Sequence, residues 1–198
     1  MKEPLPLAKI HESVLEFLRH RNDAMLFGAH AVNAYVDEPR MTQDVDVMSP
    51  RAAELAEEIR AFLAKEFTIA ARVREVAAGH GFRVYQLRQP KNRHLVDVRQ
   101  VADLPPNQLI ADIRVPIPEE LIAQKVIAYT ARRGQPKSGT DWRDLTLLLL
   151  GRPDLKTESG PVFASLIANS ADEATIAEWK KLVALRITAE NDADDWIE

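Results

Sequence analysis

Two aspartates alternate with apolar residues in the stretch Asp44-Val45-Asp46-Val47-Met48. This period-2 pattern predicts a β-strand with both carboxylates on one face and the valines packed behind them. Residues two apart on a strand lie about 6–7 Å apart. Two ionised carboxylates at about that distance repel by roughly 3 kcal/mol at an effective dielectric near 20. A divalent cation would offset the repulsion, and oxygen ligands suit magnesium or manganese. Two solvated acids on an exposed edge strand are the alternative.

A third acid and a glycine turn add to this pattern. Asp97 is flanked by valines in the stretch 94–98, as a strand residue would be. Gly28 follows the apolar run 24–27, which predicts a buried strand, and precedes the segment 29–35, which predicts a helix. A glycine at such a turn lets backbone N–H groups approach a phosphate. Three carboxylates beside a phosphate-binding turn are typical of two-metal phosphoryl transfer.

The remaining elements follow from periodicity and capping residues. Ser49-Pro50 predicts the start of a helix, with Ser49 as N-cap and proline in the first turn. From Pro118 onwards the pattern is almost wholly helical, so we predict an α/β half in residues 1–117 and a helical half in residues 118–198. The predicted helices are 7–20, 50–65, 118–133, 140–150, 161–169 and 171–187, and the predicted strands are 67–76, 83–88, 94–101 and 109–117.

These stretches resemble the polymerase-beta-like nucleotidyltransferase superfamily, and within it the AbiEii-type group of toxins from type IV toxin–antitoxin and phage-abortive systems. Gly28-Ala29-His30-Ala31-Val32 resembles the group's Gly-Gly-Thr-Ala-Leu. Arg40-Met41-Thr42-Gln43-Asp44-Val45-Asp46-Val47 resembles its Arg-x-Ser/Thr-x-Asp-Ile-Asp-Leu. Further along, Lys125 resembles the lysine of a downstream helix, and Asp141-Trp142-Arg143-Asp144-Leu145 resembles an Asp-x-x-Asp-Leu helix. The resemblance covers about residues 24–150.

The resemblance implies an α+β fold, in which a polymerase-beta-like core with a short mixed sheet (1–117) is followed by a helical domain that closes the cleft (118–198). It implies an enzyme that moves a nucleoside monophosphate from a nucleoside triphosphate to an acceptor, which is RNA such as tRNA, a protein or a small molecule. A cognate antitoxin is the implied partner. A catalytically degenerate nucleotide-binding or protein-interaction module of the same fold is the alternative function.

The resemblance also implies roles for individual residues. Mg²⁺ or Mn²⁺ would be bound by Asp44, Asp46 and Asp97. The catalytic set would be these three aspartates together with Lys125 and Asp141. The nucleotide would be bound by Gly28, Ala29, Arg40, Thr42 and Lys125.

Two residues depart from the group's pattern. Ala29 stands where a second glycine is usual, and alanine restricts the backbone if a positive φ is required there. His30 stands where a hydroxyl residue is common; it either contacts a phosphate or only begins a helix.

Lys125 lies in the middle of an apolar helical stripe, although lysine rarely points inward unless it is paired. The apolar members of the stripe are Ile122, Val126 and Tyr129. Lys125 is therefore either a snorkelling side chain or a cation aimed at nucleotide phosphates. Asp141 and Asp144 share one face of the next predicted helix. Asp141 either only favours the helix N-terminal dipole, or one of the two aspartates orients Lys125 or the attacking hydroxyl.

Composition excludes several other kinds of protein. The chain has 198 residues, no cysteine and a formal net charge of -4. The charge argues against a general nucleic-acid coat protein, and the lack of cysteine excludes disulfides, thiolate zinc sites and cysteine nucleophiles. No P-loop, Gly-x-Ser-x-Gly or zinc-binding histidine spacing occurs. No signal peptide or membrane span is evident, so we expect a cytoplasmic protein.

Basic residues gather in two places, at 83–99 and at 132–137. Such runs are usually solvated surface. If the acceptor is tRNA, they are the expected contacts to its phosphates.

Overall fold

The computed structural model describes residues 6–188, so the two ends of the chain, 1–5 and 189–198, lie outside the described residues. The chain divides into two compact units between Ile117 and Pro118. Within residues 6–188, no helix combines the length and the apolar character that crossing a membrane requires.

The first unit holds a five-stranded mixed sheet, whose strands in spatial order are β1 (Met25–Leu26), β2 (Val45–Ser49), β5 (Arg93–Gln100), β4 (Gly81–Gln86) and β3 (Ala71–Val76). Strands β2 and β5 are parallel, and the other neighbours are antiparallel. The α+β class and the mixed sheet predicted from the sequence are thereby confirmed. The elements of this unit are α1 (Leu7–Leu18), β1 (Met25–Leu26), α2 (Gly28–Asn33), β2 (Val45–Ser49), α3 (Ala52–Phe67), β3 (Ala71–Val76), β4 (Gly81–Gln86), β5 (Arg93–Gln100), β6 (Asn107–Ile110) and β7 (Ile113–Pro116).

The core of this unit lies between α3 and one face of the sheet. The valines of β2 and β5 that alternate with the aspartates are fully buried, and α3 contacts strands β2 to β5. Helix α1 packs on α3 through residues spaced four apart, as the 3.6-residue period requires. The buried members are Ile10, Val14 and Leu18 of α1, Leu55, Ile59 and Leu63 of α3, and Val45, Val47, Val96 and Val98 of the sheet.

A β-bulge interrupts the pairing of β4 with β5. Val84 pairs with Val96, but the next residue, Tyr85, pairs with His94, so Leu95 is the extra residue of β5. Leu95 and Val96 are both fully buried in the core. The bulge therefore breaks the strict alternation of β5 and brings His94 to the same face as Asp97, although the two are three residues apart.

The predicted start of α3 was wrong. Ser49 is the last residue of β2 and the helix begins at Ala52. The Ser49 hydroxyl accepts a hydrogen bond from Arg51 N (2.9 Å) just before the helix. The first helical N–H, that of Ala52, donates to the side chain of Gln100 at the end of β5 (3.1 Å). A residue 48 positions away thus satisfies a helix N–H, as a local cap would.

The single strand predicted over residues 109–117 was also wrong, because this segment contains the turn of a hairpin formed by β6 and β7. The two turn residues, Ala111 and Asp112, both have positive φ values (48° and 65°), as a two-residue hairpin turn requires. Alanine is uncommon at such a position, so residues 111–112 carry little local signal for a turn.

The second unit is helical, as predicted for residues from 118 onwards. It consists of α4 (Pro118–Ala131), α5 (Lys137–Gly151), a 3₁₀ turn (Pro153–Leu155), α6 (Pro161–Ala168) and α7 (Glu173–Ala184). Helix α4 is central, since it packs on α5, α6 and α7. The apolar core includes Leu121, Ile122, Val126, Leu145, Leu148, Val162, Leu166, Trp179 and Leu182.

Candidate active site

The predicted carboxylates meet where β2 runs beside β5. Asp46 is in register with Asp97 on the adjacent parallel strand. In-register side chains on neighbouring strands point to the same face, and the strands lie about 4.8 Å apart. Asp44 immediately precedes the first residue of β2, and all three aspartates are half-buried. The structure thus places the three aspartates of the sequence analysis in one neighbourhood.

A histidine absent from the predicted site joins this group. His94 Nδ1 lies 2.9 Å from Asp44 Oδ2. Asp44, His94 and Asp97 each offer one ligand atom, and these three atoms lie within 4.8 Å of one another. Strict alternation would have put His94 on the opposite face from Asp97, and only the bulge at Leu95 brings it here. The signal in the sequence was the adjacent apolar pair Leu95-Val96, which breaks the period-2 pattern.

Strand β4 adds a cation beside the carboxylates. Arg83 is in register with Asp97, and its Nε lies 3.3 Å from Asp97 Oδ2. The charge of Asp97 is the main cause that raises the pKa of Arg83 above its usual value. The pair is partly solvent-exposed, so it contributes little to stability. Its effect is electrostatic, because it offsets part of the negative charge of the cluster.

Gly28 and Asp46 are packed against each other. Gly28 has a φ of +64°, and a Cβ built on it would lie 2.9 Å from Asp46 Cγ and overlap the carboxylate oxygen Oδ2. The backbone is also joined, since Phe27 N donates to Asp46 O (3.0 Å). Glycine is required here for both its conformation and its lack of a side chain. Ala29, by contrast, is not among the residues with positive φ, so alanine in place of the second glycine causes no backbone strain.

The two other predicted nucleotide-binding residues of this unit lie in the connection that precedes Asp44. The side chain of Asn33 holds the backbone of Arg40, accepting from its N (3.1 Å) and donating to its O (2.8 Å). Thr42 Oγ1 lies 3.4 Å from both ring nitrogens of His30. Arg40, Thr42 and His30 line one side of a groove of about 390 Å³ whose other side is helix α1.

Two histidines, His11 of α1 and His30, both line this groove. The rings of His11 and His30 meet edge to face with their centroids 5.3 Å apart. Burial lowers the pKa of His30 to about 4 and is also the main cause that lowers the pKa of His11. His11 Nε2 is buried without a hydrogen-bond partner. Both rings are therefore neutral at pH 7, so neither contributes positive charge towards a phosphate at that pH.

Lys125 and Asp141, the remaining predicted site residues, belong to a buried ion cluster in the second unit. Lys125 Nζ lies 2.7 Å from Asp144 Oδ2 and 3.8 Å from Asp141 Oδ1. Arg132 Nη1 lies 2.8 Å from Asp141 Oδ2. Lys125 is only 6% exposed and Asp144 is fully buried. Lys125 therefore does not snorkel to solvent, and its ammonium is held between two carboxylates.

Comparison with known proteins identifies the family. Residues 13–196 match the family model described as the nucleotidyltransferase AbiEii toxin of type IV toxin–antitoxin systems. The chain belongs to the AbiEii family. The resemblance drawn from the aspartate and glycine motifs is thereby confirmed, and the protein is a nucleotidyltransferase. No curated protein sequence matches this AbiEii chain.

Solved structures of other nucleotidyltransferases share the fold of this AbiEii protein. The Megavirus polyadenylate synthase matches 74% of the chain with a TM-score of 0.58 and 13% identity, but the chain spans only 32% of that protein. An antigenic nucleotidyltransferase-like protein from Paracoccidioides brasiliensis matches over 92% of this chain and 94% of its own (TM-score 0.52, 20% identity). The antibiotic-resistance factor ANT(2'')-Ia matches over 88% and 95%, respectively (TM-score 0.50, 16% identity). At these identities the likeness establishes the fold alone.

The packing of Gly28 on Asp46 predicts a large effect of Gly28→Ala. The added Cβ must displace the Asp46 carboxylate, and the left-handed backbone adds about 1–2 kcal/mol of strain for a residue with a side chain. We expect a loss of unfolding free energy larger than that strain alone, measured by urea denaturation. Gly134→Ala is the matched control, because Gly134 has a φ of +79° and no heavy atom within 4 Å of its added Cβ. Equal losses in the two variants would contradict the proposed contact with Asp46.

The lowered pKa of His30 predicts acid sensitivity. A histidine whose folded pKa lies below its unfolded value binds more protons when unfolded, so its stabilising contribution is complete above about pH 6.5 and falls as the pH drops towards about 4. The loss is at most about 3 kcal/mol. Urea denaturation between pH 7 and 5 measures it, and His30→Asn should flatten the profile. His80→Asn, at an exposed histidine, is the control that keeps the wild-type slope.

The buried ion cluster predicts that Lys125→Met is destabilising. Removal of the ammonium leaves Asp144 fully buried without its nearest cation, which costs about 3–5 kcal/mol. The double variant Lys125→Met/Asp144→Leu replaces the pair with apolar side chains and should recover most of this loss. Equilibrium denaturation of the wild type, both single variants and the double variant gives the coupling free energy. Purely additive effects would show that the two charges do not interact.

Proposed function

We propose that this protein transfers a nucleoside monophosphate from a nucleoside triphosphate to an acceptor hydroxyl in the cytoplasm. The acceptor oxygen attacks the α-phosphorus, the bond to the bridging oxygen breaks, and pyrophosphate leaves with that oxygen. The acceptor proton passes to a carboxylate or to water. The observation that carries the proposal is the meeting of Asp44, Asp46 and Asp97 on adjacent parallel strands in a chain of the AbiEii family.

The carboxylates have distinct roles in the proposal. Asp44, Asp46 and Asp97 would hold Mg²⁺ or Mn²⁺, which when bound would neutralise charge on the triphosphate. Asp97 also positions the acceptor hydroxyl or accepts its proton. The donor set fits such an ion, because carboxylate oxygens are the ligands that both cations prefer. Arg83 Nε, 3.3 Å from Asp97 Oδ2, offsets part of the negative charge of the cluster.

The remaining residues of the proposal contact the triphosphate or support such contacts. The backbone at Gly28 and Ala29 approaches the phosphates, and Arg40 and Thr42 contribute positive charge and a hydroxyl donor. A contact of Lys125 with a phosphate, with Asp141 orienting the lysine, stays a prediction from the family resemblance. Asp141 Oδ1 lies 3.8 Å from the Lys125 ammonium, and Asp144 Oδ2 lies closer, at 2.7 Å.

Arginines beside the carboxylates favour a polyanionic acceptor such as tRNA over a protein or a small molecule. Arg74 of β3 is in register with Arg83, which is in register with Asp97. Arg72 is in register with Tyr85 on the same face. Directly opposed side chains share a face, so these arginines continue the row that begins at the carboxylates. Positive charge arranged along a surface, with an aromatic ring on which a base can stack, suits an RNA strand.

Membership of a toxin family supports a toxin role and a cognate antitoxin as partner. Modification of an essential acceptor such as tRNA would arrest growth, and the antitoxin would relieve it.

Asp46→Asn and Asp97→Asn test the reaction. Each keeps the size of the side chain and removes a charge that the proposed cation requires. We expect transfer of label from an α-phosphate-labelled nucleoside triphosphate to fall by about two orders of magnitude or more. Asp103→Asn, at an exposed aspartate, is the control and should retain wild-type transfer. Thermal unfolding of each variant checks that the fold is intact.

Incubation of the wild-type protein with each labelled triphosphate and a cell extract identifies the acceptor class. Label in RNA supports the tRNA proposal, whereas label in protein or in a small molecule refutes that part of it. Growth arrest should follow expression of the wild-type chain and not of Asp46→Asn. Triphosphate binding without any turnover to pyrophosphate would refute the reaction and favour a degenerate nucleotide-binding module.

A further inference from the structure

The bulge in β5 gives the carboxylate cluster a nitrogen donor. His94 Nδ1 lies 2.9 Å from Asp44 Oδ2, and one ligand atom each from Asp44, His94 and Asp97 lie within 4.8 Å of one another. Ligand atoms at about 2.1–2.2 Å from one octahedral ion are about 3 Å apart when adjacent and about 4.3 Å apart when opposite. The 2.9 Å separation of His94 Nδ1 and Asp44 Oδ2 therefore matches two adjacent ligands of a single ion, and Asp97 lies close enough for a small side-chain movement to bring its carboxylate to the same ion.

We infer that His94 is a ligand of the catalytic cation and that the site consequently binds a first-row transition-metal ion such as Mn²⁺ in preference to Mg²⁺. This inference rests on the proposed function, which requires a divalent cation at these carboxylates. It goes beyond that proposal, since carboxylates alone do not distinguish the two ions.

The hydrogen bonding of the ring supports metal ligation. His94 Nε2 lies 3.2 Å from the carbonyl oxygen of Val96. Metal-binding histidines commonly donate their second ring N–H to a backbone carbonyl, which fixes the tautomer and the ring orientation. In the neutral tautomer that donates Nε2–H to Val96 O, Nδ1 would direct its lone pair at Asp44 Oδ2. Two acceptors 2.9 Å apart need a proton or a metal ion between them, and a shared cation satisfies both.

Packing holds the imidazole in this orientation. The ring of Tyr85 lies against that of His94 with the centroids 5.1 Å apart, and the two residues are paired across the bulge. His94 is thus fixed on a strand, between a neighbouring aromatic ring and a backbone carbonyl. A ligand held in this way needs little reorganisation when an ion binds.

The nitrogen donor accounts for the preference between the ions. Mg²⁺ is bound by oxygen ligands in near-ideal octahedral geometry at 2.0–2.1 Å and gives up water reluctantly. Imidazole nitrogen suits first-row transition-metal ions such as Zn²⁺, Fe²⁺ and Ni²⁺, and Mn²⁺ is the member of that series that binds most weakly and also accepts carboxylates. Two carboxylates and one imidazole therefore favour a first-row transition-metal ion over Mg²⁺ through the imidazole, and Mn²⁺ is the member that tests this preference most stringently.

Metal binding to the full chain without nucleotide tests the inference. Electron paramagnetic resonance follows Mn²⁺ binding, competition with Mg²⁺ gives the ratio of affinities, and spin-echo modulation reports nitrogen directly bonded to Mn²⁺. The variants are His94→Asn, His94→Gln and Asp97→Asn. The matched control is His80→Asn at an exposed histidine outside the cluster. Thermal unfolding identifies any variant that does not fold, and the second histidine variant covers a failure of the first.

We expect nitrogen modulation in the wild type and in His80→Asn, and its loss in both His94 variants. Mn²⁺ affinity should fall about tenfold or more in the His94 variants, while Mg²⁺ affinity changes by less than about threefold. Asp97→Asn should weaken both ions. Unchanged Mn²⁺ affinity or absent nitrogen modulation in the wild type overturns the role of His94.

Failure of the histidine inference is distinct from failure of the proposed function. If Asp97→Asn loses both ions and nucleotidyl transfer but the His94 variants bind Mn²⁺ and Mg²⁺ like the wild type, only the inference fails. If the wild type binds neither ion and transfers no label, the proposed function fails together with the inference.

Discussion

The pairing of β2 with β5 in parallel is the constraint on which the site depends. It puts Asp46 in register with Asp97, one strand spacing away, and brings Asp44 close to both. Carboxylates this close repel one another, and the valines behind them leave only one face on which the charge can be offset. Arg83 and His94 offset part of it on that face. The arrangement is costly for stability and favourable for holding a cation, as is usual at functional sites.

The position of the Asp46 carboxylate also explains why glycine is required at position 28 but not at position 29. The Asp46 carboxylate occupies the space that a side chain at position 28 would fill, and the backbone of Gly28 is left-handed. Position 29 has neither restriction, so the alanine there departs from the family pattern without strain. The departure at His30 has a different explanation, since this ring is part of a buried neutral pair with His11. These two departures concern packing around the site and do not involve the three aspartates.

Local sequence patterns predicted the strands and helices that carry the site. The features that they failed to predict depend on contacts between residues distant in sequence or on irregular strand pairing. Alternating valines predicted the strands that carry Asp46 and Asp97, and the spacing of apolar residues predicted that Lys125 points inward. His94 was missed because its face depends on a bulge, and the start of α3 was misplaced because Gln100, distant in sequence, accepts from its first N–H. The hairpin of β6 and β7 was missed because Ala111 is an uncommon residue for its turn. Pairing partners and bulges arise from tertiary packing, which a single sequence does not encode locally.

Charge balance on the sheet face connects the cation to the nucleotide. Three ionised aspartates and the adjacent Arg83 carry a charge of about −2, so one divalent cation neutralises the cluster and a second makes it positive. A triphosphate is therefore attracted by the doubly loaded cluster and not by the singly loaded one. The proposed reaction therefore favours a triphosphate that arrives with a cation, while the arginines beside Asp97 attract the acceptor. A chain of net charge -4 can thus bind polyanions, because the relevant potential is that of one sheet face and not of the whole protein.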